Sequence, residues 1–481
     1  MNYGIIIKVL GSLLLIESVA FIPPLLISLV YGEKSFLAFI YSILILIVLG
    51  FPMSRVNILS KRVKAKDALL IVSLGWVFVS FFGSLPYVFS GSIPSLVDAF
   101  FETVSGFTTT GSSILGDIEI LPKGILFWRS FTIWLGGMGI LALTLAIFPA
   151  IGVGGYQIFK AETTGPIAEK IVPRIKDTAK ILYVIYAGLT IIQVVLLWAG
   201  GMTFFESLIH TFSTVGTGGF SSRNTSIGAY NNSFIVYVIS IFMILCGINF
   251  SLFYDLLKGR WKNVLMNSEL RLYLGVITVS TLLITFNLYG KVYNSIFETF
   301  KHALFQVSSI ITTTGFTTVD FNKWPEFSKS ILFLLMFVGG CAGSTGGGIK
   351  VIRLLIMGKV VKKEILKLLH PKAFVPIKIN DKVLSLDTII SVSSFFFLYM
   401  VIFIISTVFI SFEGIDLVSS ASAVATTLGN IGPGFEHVGP IQNFGFFSAP
   451  SKILFSLLML LGRLELYTFF LFFVPDFWKN N

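Results

Sequence analysis

The chain has 481 residues, 55% of them hydrophobic and 12% charged, with 49 Phe and a mean hydropathy of +0.88. Soluble domains carry about 25% charged residues, so the composition excludes a water-soluble enzyme or carrier and puts most of the chain in a bilayer. The formal net charge of +11 does not call for nucleic acid, because its distribution along the chain serves to orient a membrane protein.

Two apolar runs open the chain, at 4–31 and 36–52. The first far exceeds the ~7–15-residue core of a signal peptide and contains Glu17 and the pair Pro23 and Pro24, so it is expected to stay as a transmembrane helix. Further runs at 68–90, 181–199, 233–254, 272–289, 387–411 and 452–475 approach or exceed the ~20 residues that cross a bilayer. Between them the charges are asymmetric. Residues 54–66 hold Arg55, Lys61, Arg62, Lys64 and Lys66 with no acid, and 358–386 hold seven Lys against Glu364 and Asp381. Residues 91–127 carry Asp98, Glu102, Asp117 and Glu119 before the lone Lys123. The positive-inside rule then puts the amino terminus, both basic loops and Lys479 in the cytoplasm and 91–127 outside. Cys246 and Cys341 lie within apolar runs and offer no disulfide framework. His210, His302, His370 and His437 lack ligand spacing, so no resident metal or cofactor is expected.

A short motif recurs after successive spanning runs: FFETVSGFTTTGSS in 91–127, FFESLIHTFSTVGTGG at 204–219, LFQVSSIITTTGFTT at 304–318 and SSASAVATTLGNIGPG at 419–434. Aligned on Gly111, Gly216, Gly315 and Gly429, the tetrads read TTTG, STVG, TTTG and TTLG. Self-similarity at this spacing outranks any single motif. Each unit reads as a spanning helix, a short half-apolar helix, a Thr/Gly loop and a second spanning helix. Asp98 and Asp416, each thirteen residues before its glycine, suit a helix start or an outer cation attractor. The expected organisation is an N-terminal helix pair (1–66) and four repeats at 67–155, 156–262, 263–370 and 371–481. The fold class is therefore an all-α membrane protein with four covalently linked helix–pore loop–helix units around a pseudo-four-fold axis.

Non-helical backbone inside a membrane is tolerated where it lines a water-filled path. Carbonyls of extended Thr/Gly segments are hard-oxygen ligands that can replace a cation's hydration shell, and glycine allows the torsions that aim them. The expected ion-binding residues are Thr109, Thr110 and Gly111; Thr214, Val215 and Gly216; Thr313, Thr314 and Gly315; and Thr427, Leu428, Gly429 and Asn430.

The stretch GGCAGSTGGGIK at 339–350 has the glycine spacing of a phosphate-binding loop, but Ile349 and Val351 stand where that loop needs Lys and a hydroxyl. It also falls inside an apolar run, without a preceding strand. An ATP-using enzyme is rejected on those grounds. Six glycines within 339–348 give very poor helix propensity, so the second spanning helix of repeat three must break there.

The four units, with KAETTGPIAEKIVPRIKDTAK at 160–180 and GRLELYTFF at 462–470, resemble the Trk/Ktr/HKT superfamily of potassium transporters and are most similar to its TrkH type, which carries the extra N-terminal helix pair. The resemblance covers essentially the whole chain. It implies potassium uptake in a prokaryotic inner membrane, a homodimer, and a cytosolic TrkA-like nucleotide-binding subunit docked on the basic loops. It also implies that Gly343, Ser344, Thr345, Gly346, Gly347 and Gly348 form a loop that blocks the path below the filter. The filter has one glycine per repeat and variable residues after it (Ser112, Thr217, Phe316 and Asn430). Sodium therefore stays open beside potassium, and a sodium-coupled symporter of the Ktr or HKT kind is the alternative.

Arg463 stands near the middle of 452–475, where a charge costs about 2.5–3.5 kcal/mol on insertion scales. Glu465, two residues on, points to another helix face. Arg463 is expected to project below the filter and bond carbonyls freed by the broken segment, the alternative being an ion pair between helices. The resemblance supports the first reading, since TrkH-type proteins carry an Arg at this place.

Overall fold

The computed structural model describes residues 1–57, 63–139, 175–373, 375–380, 382–467 and 474–478. Among these it is helical, apart from a two-stranded ribbon at Lys378–Ile379 and Lys382–Val383. Ser60 to Arg62 of the first basic loop, most of the 160–180 stretch, the expected repeat boundary at 155, Asp381, the end of the 462–470 stretch and Lys479 lie outside the described residues.

Asn2 caps the first helix, its side chain accepting the Ile5 N–H at 3.3 Å. Helix α1 (Tyr3–Ala20) stops at Phe21, and Pro23 and Pro24 fall in the first turn of α2 (Ile22–Val30), where a missing N–H costs nothing. The expected spanning helix over 4–31 is present as one stretch, Tyr3–Val30, with a one-residue break at Phe21. Helix α3 (Phe36–Ser54) returns beside α1. A Cβ on Gly50 would stand 2.9 Å from the Gly11 carbonyl oxygen, so small residues set the close approach of this pair.

Four units follow. The first is α4 (Ala65–Gly83) with α5 (Leu85–Phe89), the short α6 (Leu96–Phe107) and α7 (Lys123–Gly137). The second is α8 (Ile175–Ala199), the short α9 (Phe204–Val215), α10 (Ser233–Cys246), α11 (Phe250–Leu257) and α12 (Trp261–Leu265). The third is α13 (Ser268–Leu288), the short α14 (Ile296–Ile311), α15 (Glu326–Leu335) and α16 (Val351–Leu369). The fourth is α17 (Leu386–Ser411), the short α18 (Leu417–Gly429) and α19 (Ala449–Leu464), with α20 (Pro475–Trp478) after it.

Three of the short helices are side-chain capped. Ser95 accepts the Asp98 N–H at 3.4 Å, Thr203 the Glu206 N–H at 3.2 Å and Asp416 the Ser419 N–H at 2.9 Å, satisfying donors that a helix start leaves open.

Among the described residues six helical stretches are long and apolar enough to span a bilayer. Two expected runs are interrupted. The run 233–254 breaks at Gly247–Asn249, where α10 and α11 diverge by 95°; Gly247 ends one helix and the Asn249 side chain, accepting the Ser251 N–H at 2.9 Å, starts the next. The run 452–475 ends at Leu464, because Glu465 takes φ 65.

Candidate functional site

The segments that follow the four short helices share one backbone conformation. Thr109 (φ 58) and Gly111 (φ 85), Thr217 (φ 56) and Gly219 (φ 65), Thr313 (φ 58) and Gly315 (φ 87), and Asn430 (φ 54) and Gly432 (φ 107) all lie in the left-handed region. For a β-branched residue this costs about 1–3 kcal/mol, and three of the four non-glycine positions are Thr. Each segment hangs from the last turn of its short helix by the same bond. The N–H groups of Thr110, Gly218, Thr314 and Ile431 donate to the carbonyls of Ser105, Ser213, Ser309 and Thr426 at 2.8, 2.9, 2.9 and 2.8 Å.

The four segments close a ring. A Cβ on Gly111 would stand 2.2 Å from the Gly218 carbonyl oxygen, one on Gly219 2.2 Å from that of Thr314, one on Gly315 2.2 Å from that of Ile431, and one on Gly432 2.9 Å from that of Thr110. Repeat one thus abuts two, two abuts three, three abuts four, and four abuts one. Only a residue without a side chain fits any of these positions.

This ring corrects the register expected for repeats two and four. Gly219 and Gly432, not Gly216 and Gly429, are the counterparts of Gly111 and Gly315. Thr214 and Val215 belong to the last turn of α9, and Thr427, Leu428 and Gly429 to that of α18; Gly216 is the residue that ends α9, at φ −76. The helix ends STVG and TTLG imitate TTTG in composition while lying three residues, about one turn, too early. Asn430 stays within the ring segment. The two acids shift with the register: Asp416 is a helix cap, whereas Asp98 sits in the first turn behind its cap Ser95 and pairs with Lys452 at 2.7 Å.

Sequence reasoning placed Thr217 just after the filter and passed over Gly218, Gly219, Ile431 and Gly432, and a signal for them exists. Sixteen residues separate Ser95 from Gly111, Thr203 from Gly219, and Asp416 from Gly432, so counting from the caps recovers the register that matching the letters loses.

Above the ring lies a cavity of about 130 Å³ whose lining includes all four ring glycines. Two arginines also line it, each neutralised. Arg129, buried, bonds Glu102 at 2.7 Å and lies 3.5 Å over the Phe220 ring. Arg223 bonds Glu206 at 2.7 Å and approaches Glu119 at 3.7 Å. Burial works to raise the Glu206 carboxyl, but hydrogen bonds from Thr203 and Arg223, with the Arg223 charge, hold it below the usual carboxylate range.

Beneath the ring the third repeat loses its helix between Leu335 and Val351. Gly339, Gly343 and Gly348 (φ 77, 72 and 75) turn the chain, and Lys350 itself is at φ 79. The excursion closes at its base, where the Val351 N–H donates to the Gly340 carbonyl at 3.1 Å. Its outer part docks on the break of repeat two: Cys341 N–H to Gly247 O at 2.9 Å, Phe250 N–H to Gly343 O at 3.0 Å and Thr345 Oγ1 to Cys246 O at 3.2 Å. Its upper edge touches the ring, the Gly347 N–H donating to Thr313 Oγ1 at 2.6 Å. Glu269 of α13 braces both ends, accepting the Ala342 N–H at 2.7 Å and the Ile352 N–H at 3.1 Å. The buried Lys350 ammonium donates to the Gly346 carbonyl.

Arg463 lies in the last turn of α19, not in mid-helix as expected. Its Nη1 donates to the Thr345 carbonyl at 2.9 Å and reaches Thr109 Oγ1 at 3.4 Å, while Nη2 donates to the carbonyls of Gly136 and Gly137 at 2.5 and 2.9 Å. One guanidinium thus ties the loop of repeat three to the end of α7 and the underside of the ring. Of the expected loop residues, Gly343, Thr345 and Gly347 carry bonds to other repeats or to the ring, Gly346 accepts the lysine, Gly348 turns the base, and Ser344 bonds back to Cys341 O at 2.6 Å. Glu465 pairs with Arg353 of α16, whose guanidinium lies 3.9 Å over the Phe395 ring.

The family model for TrkH, described as a cation transport protein, matches residues 32–480. The chain is 39% identical over 489 residues to the Trk system potassium uptake protein TrkH of Escherichia coli (strain K12) and 38% identical over 489 residues to that of Salmonella typhimurium, with 100% of each chain covered in both pairs. It is similar in structure to the potassium transporter TrkH crystallised from Vibrio parahaemolyticus, with a TM-score of 0.88, 36% identity and 100% of both chains covered.

Proposed function

The chain belongs to the TrkH family of cation transport proteins, and from that premise we propose that it takes up potassium across the cytoplasmic membrane of a prokaryote through the ring at Gly111, Gly219, Gly315 and Gly432. The observation that carries this reading is the ring itself, four strained segments in one conformation, each glycine against a neighbour's carbonyl oxygen. Left-handed torsions at every second residue turn successive carbonyls to one side, and such oxygens replace a cation's water. The four short helices end at the ring, so the negative ends of their dipoles add to its attraction for a cation. The relatives named above are described as potassium uptake proteins, which agrees with this choice of ion.

The glycine loop and Arg463 act in this reading as a closed gate. A fixed positive charge under the ring opposes a cation, and the loop fills the space through which it would leave. Opening requires breaking the bonds from Arg463 to Thr345, Gly136 and Gly137, work that falls to a cytosolic nucleotide-binding partner. The assembly is a homodimer, with its amino terminus and basic loops in the cytoplasm. A cysteine at Lys372 should then be shielded from an impermeant thiol reagent in intact cells, and one at Asp117 labelled; the reverse pattern overturns the orientation.

The deciding experiment is flux into proteoliposomes under potassium, rubidium or sodium gradients. Potassium and rubidium should enter in preference to sodium. Potassium flux that requires sodium on the same side would favour coupled symport.

A further inference from the structure

The bend after α10 sends α11 off at 95°, and the cations gathered from its end onward bring the turn between α11 and α12 to the bilayer surface. Together α11 and α12 form a short amphipathic hairpin at the end of the molecule away from the vestibule. One set of its side chains is large, apolar and exposed: Leu257 (77%), Trp261 (67%) and Leu265 (67%). The same stretch carries Lys258, Arg260 and Lys262, all exposed, and the exposed Arg271 at the start of α13 donates to the Leu265 carbonyl at 2.6 Å. The acids nearby are Asp255, which pairs with Arg260 at 3.4 Å, and Glu269, which is buried and bonded to the glycine loop. A short helical hairpin with exposed apolar side chains, an exposed tryptophan and a cluster of cations has the composition of an element that contacts anionic lipid.

We infer that α11 and α12 bind the headgroups of anionic phospholipids in the inner leaflet, and that this contact holds the glycine loop closed. The link is direct. The break that starts α11 is the strip on which the loop docks, through Gly247 to Cys341, Cys246 to Thr345 and Phe250 to Gly343. A lipid that holds α11 keeps that strip in place. The coupling rests on the gate reading above; the lipid contact does not.

Two readouts separate them. The first compares quenching of Trp261 fluorescence, taken as the difference between the unaltered chain and Trp261→Phe, by brominated phosphatidylglycerol and brominated phosphatidylcholine in nanodiscs. Phosphatidylglycerol should quench about twofold more, and the combined variant Lys258→Gln, Arg260→Gln, Lys262→Gln, Arg271→Gln should equalise the two. Equal quenching of the unaltered chain overturns the lipid site. The second readout is rubidium flux without any partner protein. It should be about fivefold higher in pure phosphatidylcholine than in phosphatidylglycerol-rich vesicles, and high in both for the combined variant. Flux that ignores lipid while the quenching ratio holds overturns the link to the loop. A Ser344–Gly346 deletion that fails to raise flux in either lipid overturns the gate reading, leaving the quenching result to decide the lipid site alone.

Discussion

The ring and the layer beneath it are built on opposite plans. Above, four segments adopt one backbone conformation and meet pairwise in one way. Below, the four second helices diverge: α7 ends at Gly137 under an arginine from another repeat, α10 bends, the third repeat opens into a glycine loop, and α19 stops at Arg463. A site that surrounds an ion is served by equal oxygens on all sides, whereas an obstruction needs only one part that can move. The two layers are nonetheless bonded, since Thr109 and Thr313 of the ring receive hydrogen bonds from Arg463 and Gly347.

The largest effect should come from breaking the ring. Gly432→Ala puts a Cβ at φ 107 and 2.9 Å from the Thr110 carbonyl oxygen, whereas Gly429→Ala, in the helix, meets mainly the tip of Ile431 at 2.9 Å. We expect the first to lower potassium over sodium selectivity at least about tenfold and the second by less than about threefold, in line with the strain at positive φ. Gly315→Ala should behave like the first. Equal effects at 429 and 432, read from ion-gradient flux, would restore the register that the repeated letters suggest.

The lower layer should give a smaller change of opposite sign. Arg463→Ala removes charged donors to three carbonyls, each bond worth about 1.5–3 kcal/mol. Partner-independent potassium flux should rise about tenfold, as it should when Ser344–Gly346 is deleted. Equal or lower flux from both variants at normal expression would reject the gate.

The smallest effect belongs to the vestibule. The Glu206 carboxyl is held below its ordinary value of 4.5, so it stabilises the fold above that pH, and the contribution fades as pH falls through the lowered folded value. Arg223 is 42% exposed, so solvent screening limits the pair to about 1 kcal/mol. Thermal melting near neutral pH and in acid should show a small extra loss on acidification that Glu206→Gln lacks.

Much of this was legible in the sequence. Long apolar runs gave the spanning helices, and the recurring Thr/Gly stretch gave four units. The six glycines at 339–348 announced the break in repeat three, because helix propensity there is too poor for any packing to rescue. The register of repeats two and four was hidden, since hydroxyl residues suit both a helix end and a strained loop, and only the caps tell them apart. The bend at Gly247 was masked by apolar residues on both sides. The partners of Arg463 were out of reach because Gly136, Gly137 and Thr345 lie more than 100 residues away and offer backbone atoms, which carry no sequence signature.

Within the ring, repeats one and three carry a hydroxyl bridge, Thr108 to Thr110 and Thr312 to Thr314, each at 2.8 Å. Repeats two and four have Gly216 with Gly218 and Gly429 with Ile431 at the same places, and no such bridge can form. At these two places the side chains therefore alternate around the axis while the backbone does not. For protein engineering the unit of change is then an opposed pair. Exchanging Thr110 and Thr314 together preserves the balance across the axis, whereas a single exchange makes the ring lopsided and tests tolerance to asymmetry as well as side-chain chemistry.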